Sequence, residues 1–305
     1  MTVDKQMKRY NIPRLIFLNK CDRIGANPIN CVNKIREKLR LNAFLTQLPI
    51  GLESEHKGVV DLIENAAFYF DGPSGETIRK EAVPLEMQAQ VKEKFDELIQ
   101  GLADIDEEIG DLYIMEETPT KEQIKNAIRR QTIALKFVPV FCGSAFKNVG
   151  VQLLLDAVVE YMPAPQEVKN YALDLKQDES SVEISSSAKE PLLLFAFKLE
   201  DGKFGQLTYC RIYQGRLTKG SSIFNSRTRT KERTPRIVRM HSNEMEDVDS
   251  LDAGEIGALF GLDCVTGDTF TDGKLDFAMV IEFFNPNFQA HSLIFCRALY
   301  LCLIR

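Results

Sequence analysis

The chain has 305 residues, 44% hydrophobic and 27% charged, the composition of an ordinary globular protein with room for two cores. Its formal net charge of −6 excludes a protein that coats nucleic acid over its whole surface, and leaves only a local basic face to consider. Seven cysteines without a Cys-x-x-Cys pair exclude a disulfide framework or zinc knuckle; the separated histidines His56, His241 and His291 are read as satisfied imidazoles, so no metal site is expected.

The first thirteen residues, MTVDKQMKRYNIP, lack the apolar core of a secretory signal and the Ser/Arg enrichment of a transit peptide, so no import signal is expected in them. IPRLIFLN is a compact apolar run that ends abruptly in polar and glycine residues, the pattern of a buried parallel strand feeding a functional loop. The text HKGVVDLIENAAFYFDGPSGE that follows is strand-like and closes on a turn. PLEMQAQVKEKFDELIQ onward is helical in period, and Thr120 and Gln123 stand at capping-box spacing. Together, residues of about 43–135 read as an inserted α+β subdomain.

FVPVFCGSAFKNVG is a second buried strand running into a loop, and Val151, Leu154, Leu155, Val158 and Val159 then recur at helical spacing before a proline stop. Residues 166–190 are polar and serine-rich and read as a linker. Beyond them the period changes to two, with short strands separated by glycine turns over 191–273, which predicts a small closed β-barrel. The longest apolar run, Leu293 to Ile304, contains Arg297 and is shorter than the roughly 20 residues of a membrane span, so no membrane partner is expected.

Chemistry concentrates in Asn19-Lys20-Cys21-Asp22. A carboxylate at Asp22 can accept from the guanine edge that bears N1–H and the 2-amino group, a donor pair that adenine lacks. The Lys20 stem can lie across the base, and the Asn19 amide can tie neighbouring loops together. In Gly143-Ser144-Ala145, Ser144 would brace the second loop and Ala145 would offer its N–H to the purine O6. Both motifs follow buried strands, where open α/β sheets place ligands.

These two motifs look like the fourth and fifth guanine-recognition motifs of GTPases, and the long insertion between them resembles the extra subdomain of elongation factor G. The phrases QMKRYNIPRLIFLNKCDRIGANP, GVVDLIENAAFYFDG, KNVGVQLLLDAVVEYMPAPQEV, FAFKLEDGKFGQLTYCRIYQG and LFGLDCVTGDTFTDG are similar to the mitochondrial elongation factor G family of translational GTPases, from about Thr2 to Gly273. The resemblance implies an α/β fold: the C-terminal part of a P-loop GTPase domain (1–165) with its inserted subdomain, then the linker, the small β-barrel and a divergent tail, 274–305. It implies GTP/GDP with magnesium as cofactors, the ribosome and its RNA as partners rather than DNA, a mitochondrial location, and ribosomal translocation as the activity. A ribosome-recycling paralogue and a non-catalytic rRNA-binding module are the alternatives. For the latter, eight basic residues against one acid lie between Arg216 and Arg239, with Arg227, Arg229 and Lys231 as candidate rRNA contacts.

The family's phosphate loop, Gly-x-x-x-x-Gly-Lys-Ser/Thr, does not occur in these residues, and the only Asp-x-x-Gly begins at Asp22 itself. No catalytic residue or magnesium ligand is therefore assigned, and the 305 residues are expected to recognise guanine without hydrolysing GTP. Without the strands that precede Asn19 in the family, the remaining parallel strands are expected to expose apolar edges. The tail reads as appended sequence or an amphipathic helix.

Overall fold

The computed structural model describes residues 2–202, 205–241, 244–279 and 301–304. The chain divides after Met162 into two compact units.

The first unit opens with helix α1 (Thr2–Arg9), whose Asp4 pairs with Lys8 at 3.2 Å and with the buried Arg14 at 2.7 Å. Strand β1 (Leu15–Leu18) is buried at every position, as a central parallel strand must be. Asn27 then caps helix α2 (Pro28–Leu39) by accepting the Asn30 N–H at 2.9 Å, with Pro28 at a position where no N–H is required. Strand β2 (Ala43–Leu45) runs parallel to β7 (Val138–Cys142), and β7 runs parallel to β1 with Ile16 opposite Val140.

Between β2 and β7 lies the inserted α+β body. Strands β3 (Gln47–Ile50), β4 (Gly58–Asp61), β5 (Ala66–Asp71) and β6 (Thr77–Glu81) form an antiparallel meander. Helices α3 (Gln88–Ala103), α4 (Glu107–Ile114) and α5 (Lys121–Ile133) follow, and both members of the Thr120–Gln123 capping box are formed. The insert begins later than the expected position 43, because Ala43–Leu45 belong to the parallel sheet.

Helix α6 (Val151–Tyr161) follows β7 and buries Leu154, Ala157 and Tyr161. Leu155 and Val159 instead face solvent at 53% and 83% exposure. The buried stripe is Leu154, Ala157 and Tyr161, centred one residue away from the expected one, so Leu155 and Val159 fall on its solvent side.

In the second unit, residues 166–190 are not a linker. They form a hairpin of β8 (Asn170–Asp174) and β9 (Ser180–Ile184) that buries Ala172 and Ile184. These pack with Leu193, Phe195 and Phe197 of β10 (Leu193–Gly202), while Leu194 and Ala196 of the same strand enter the main core. Because β10 is covered on both faces, its sequence PLLLFAF is continuously apolar instead of alternating. The remaining strands are β11 (Gly205–Gln214), β12 (Arg216–Thr218), β13 (Ser222–Asn225), β14 (Lys231–Arg233), β15 (Ile237–His241), β16 (Glu244–Val248), β17 (Ser250–Asp252), β18 (Ile256–Phe260), β19 (Thr269–Thr271) and β20 (Phe277–Ala278).

Seven of them join β10 in an antiparallel half-barrel in the order β14-β13-β19-β10-β11-β18-β15-β16. The ribbon β12–β17 is a separate pair whose Leu217 and Leu251 plug the core. β20 continues the smaller sheet by pairing with β8. The tail's residues 280–300, and with them His291, lie outside the described residues. Residues Leu301–Ile304 form strand β21, parallel to β1 on the side away from β7, so the β1 edge expected to be open is paired. Among the described residues, no helix is long and apolar enough to cross a membrane.

One charge cluster pins the insert to itself. Glu64, after β4, faces Lys80 at 3.1 Å, Lys121 at 3.3 Å and Lys125 at 3.2 Å. Burial opposes its ionisation, but the three ammonium groups outweigh that and hold its pKa at about 2. A folded pKa below the unfolded value of about 4.3 contributes stability that is present above that value and is lost as pH falls towards 2. Glu64→Gln is therefore expected to lower the melting temperature at pH 7 and to flatten its decline between about pH 4.3 and 2, as measured by thermal unfolding at stepped pH.

Candidate guanine-binding site

The site forms where β1 and β7 end side by side. The Gly143 N–H donates to Leu18 O at 3.1 Å and the Cys21 N–H to Gly143 O at 3.0 Å, so the parallel ladder continues into both loops. Gly143 has to be glycine, since a Cβ there would meet Val149 O at 2.1 Å and the Phe17 ring at 3.0 Å.

Asn19 does what its residue type suggested: its Oδ1 accepts the Ala145 N–H at 2.9 Å and the Lys20 N–H at 2.8 Å, tying the two loops. This changes the expected role of Ala145. Its N–H is already engaged, so a purine O6 would compete with Asn19 for it. Lys20 is exposed, with φ of +68°, a left-handed backbone that costs a non-glycine residue roughly 1–2 kcal/mol and gathers at functional sites.

Ser144 is fully buried and braces the second loop: its Oγ accepts the Lys147 N–H at 3.3 Å, and its N–H and C=O both bond to Val149. It also faces Asp22. Burial works to raise the Asp22 pKa, but hydrogen bonds from Ser144 and from its own backbone N–H, with the charges of Arg23 and Lys147, hold it below the ordinary carboxylate value. Asp22 is thus ionised, with Arg23 at 3.8 Å and its side chain only 7% exposed.

The decisive feature is Asp22 Oδ1, which is buried and accepts no hydrogen bond. An orphaned carboxylate oxygen is costly, and the N1–H and amino group of guanine would supply the missing donors. The residues present therefore fit a guanine base. Among the described residues no group of three His, Cys, Asp or Glu side chains is placed to hold a metal ion.

Sequence patterning missed the residues that support this pocket. Asn148 donates from Nδ2 to Ser74 O at 3.0 Å and Gln152 from Nε2 to Gly75 O at 2.8 Å, so the β5–β6 hairpin tip rests on the Ala145 loop. Glu53 holds the Asp22 turn, the thiols of Cys21 and Cys142 adjoin each other beneath it, and His56 lies in the same region. His56 is not the satisfied imidazole expected: Nδ1 meets Gly51 O at 3.3 Å, but the buried Nε2 has no partner, and burial depresses its pKa. The only sequence signal for these contacts is a polar, glycine-marked stretch between the buried strands β3 and β4.

The basic run of the second unit differs from its one-dimensional count. Arg216 meets Asp252 at 2.5 Å, Arg227 grips Asp268 through 2.5 and 2.9 Å bonds, and Arg229 is paired with Asp276. Arg236 meets Asp247 and Arg239 meets Glu255, both at 2.6 Å. Five of the eight cations are held by carboxylates that all lie beyond the window, while Lys231 stands over the Phe224 ring at 5.7 Å. A phosphate would have to displace these carboxylates to reach most of the guanidinium groups.

Residues 1–164 match the Elongation factor Tu GTP binding domain, more than half of the chain. The chain belongs to that family of translational GTPases. Residues 205–271 match Elongation factor Tu domain 2, which places that module on the half-barrel. A crystal structure from Thermus thermophilus shares the fold at a TM-score of 0.69 and 21% identity, covering 88% of this chain and 37% of that one. This member of the elongation factor Tu family thus spans well under half the length of that structural neighbour.

The hairpin clamp on the second loop can be tested directly. Gly75 has φ of +62°, and a Cβ there would lie 2.8 Å from Lys147 O. Gly75→Ala is expected to cost roughly 1–3 kcal/mol, lowering the melting temperature by about 2–4 °C per kcal/mol, measured by calorimetry.

Proposed function

We propose that this chain is a guanine-nucleotide-binding translation factor of the elongation factor G type, acting on the ribosome in translocation within mitochondria. The single observation that carries base recognition is the ionised, buried Asp22 carboxylate with one unpaired oxygen, held beside Ser144 and the Asn19–Ala145 tie. The family match supports a GTP-binding factor of translation. The G type and the mitochondrial setting rest on the resemblance of the quoted phrases and on the inserted subdomain.

The chemistry assigned to this chain's own residues is binding and selection. Asp22 accepts from the base edge, Lys20 covers the ring, and Ser144 and Asn19 fix the loops. Magnesium and the phosphates would be handled in the family by a loop that these 305 residues do not contain, so hydrolysis is not assigned to them. Base-edge bonds alone predict weak binding, with a Kd on the order of 1 mM.

Titration of the 305-residue chain with GDP and ADP, followed by ligand-observed NMR, is expected to show preference for GDP. Asp22→Asn is expected to lower guanine affinity at least 10-fold and to favour xanthosine diphosphate, whose 2-carbonyl accepts from the new amide. Equal binding of GDP and ADP by the wild-type chain would reject the base-recognition reading.

The ribosome is the proposed partner of the half-barrel, with Arg227, Arg229 and Lys231 as contacts. Arg227 is a poor test residue, because its removal strands the buried Asp268 carboxylate. Ribosome pelleting of the Arg229→Glu/Lys231→Glu variant is expected to weaken and to lose part of its salt dependence; unchanged pelleting would remove the basic turn from the interface.

A further inference from the structure

Building on the base-recognition reading, we infer that Glu53, in the inserted body, is a positioning residue for guanine: it staples both ends of the turn that carries Asp22. Its N–H donates to Cys21 O at 2.8 Å, and its Oε1 accepts the Gly25 N–H at 2.7 Å. One residue therefore brackets the five-residue stretch from Cys21 to Gly25.

The remaining restraints gather at the start of that stretch, where Cys21 is buried with its Sγ donating to Leu18 O at 3.4 Å and Asp22 faces Ser144. The Cys21 N–H is held by Gly143 O, and within the turn the Arg23 N–H bonds to Lys20 O and the Ala26 N–H to Arg23 O, both at 3.1 Å. On the far side of Asp22, Glu53 provides the tie to the rest of the unit, through a charge-assisted bond that is among the stronger kinds. Ile24, between the stapled ends, is 94% exposed and adds no packing anchor.

Glu53 is itself placed by an ordered loop. It has φ of +57°, an unusual backbone for a glutamate, and it follows Gly51, where a Cβ would strike Glu55 O at 2.1 Å. His56 Nδ1 meets Gly51 O at 3.3 Å, the Lys57 N–H bonds to Ile50 O at 3.0 Å, and Leu52 packs against the core. Loop 51–57 is thereby a rigid arm reaching from the end of β3 to the Asp22 turn. A recognition group must be held within about half an ångström of its productive position, which a single-sided turn does not ensure.

The test uses the 305-residue chain with GDP and ADP as probes. Glu53→Ala is expected to lower the GDP-over-ADP preference about 3–10-fold, the worth of one lost hydrogen bond, with a fall in melting temperature of no more than a few degrees. Glu53→Gln, whose side-chain carbonyl still accepts the Gly25 N–H, is expected to restore the preference, whereas the shorter Glu53→Asp is not. In an Asp22→Asn background, Glu53→Ala is expected to have no further effect on base preference. Wild-type preference with an unaffected Glu53→Ala variant overturns the role of Glu53 while sparing the base-recognition reading; no preference in the wild type overturns both. If Glu53→Ala does not fold, the comparison of Glu53→Gln with Glu53→Asp decides, and equal base preference in those two overturns the proposal.

Discussion

Everything at the candidate guanine site depends on two strand ends being held in register. β1 and β7 are parallel neighbours, and their backbone pairing continues past the strands through Gly143 to Leu18 and Cys21. The hydrogen bond from the Ala145 N–H to Asn19 Oδ1 completes this seam across 126 residues of sequence. Asn19 and Ser144 therefore serve first as architecture. With the seam closed, Asp22 is held beside Ser144 with one buried carboxylate oxygen unpaired.

The insert is part of that architecture. Its β3–β4 loop reaches the Asp22 turn and its β5–β6 tip reaches the Ala145 loop, so each of the two loops is supported by a different piece of the same antiparallel body. The cost shows in the backbone: Lys20, Glu53 and Asn148 all take left-handed φ values without being glycine. Such conformations persist where surrounding bonds over-determine them.

The strands β1 and β7, the capping box at Thr120 and the loop ties of Asn19 and Ser144 are legible because each rests on a contiguous pattern. The supports are not. Glu53 meets Gly25 across 28 residues and Gln152 meets Gly75 across 77, separations that no local period encodes. The hairpin within 166–190 was hidden because β8 buries every second residue but two of those three, Asn170 and Asp174, are polar, so no apolar period of two registers. The basic run misled for a similar reason: a count along the chain sees Arg227 and Arg229 but not Asp268 and Asp276, which pair with them from another part of the sheet. Charge on a curled sheet has to be tallied across strands.

The seam also bears on the order in which the molecule assembles. The insert's meander joins near neighbours, with Gly58 opposite Tyr69 and Asp71 opposite Thr77, so its loops are short to close. β1 cannot pair with β7 until some 120 intervening residues have been made and gathered, and pairings of such long sequence separation form slowly. The insert is thus positioned to fold first and to draw the two strand ends together, which makes it a local nucleus for a non-local sheet.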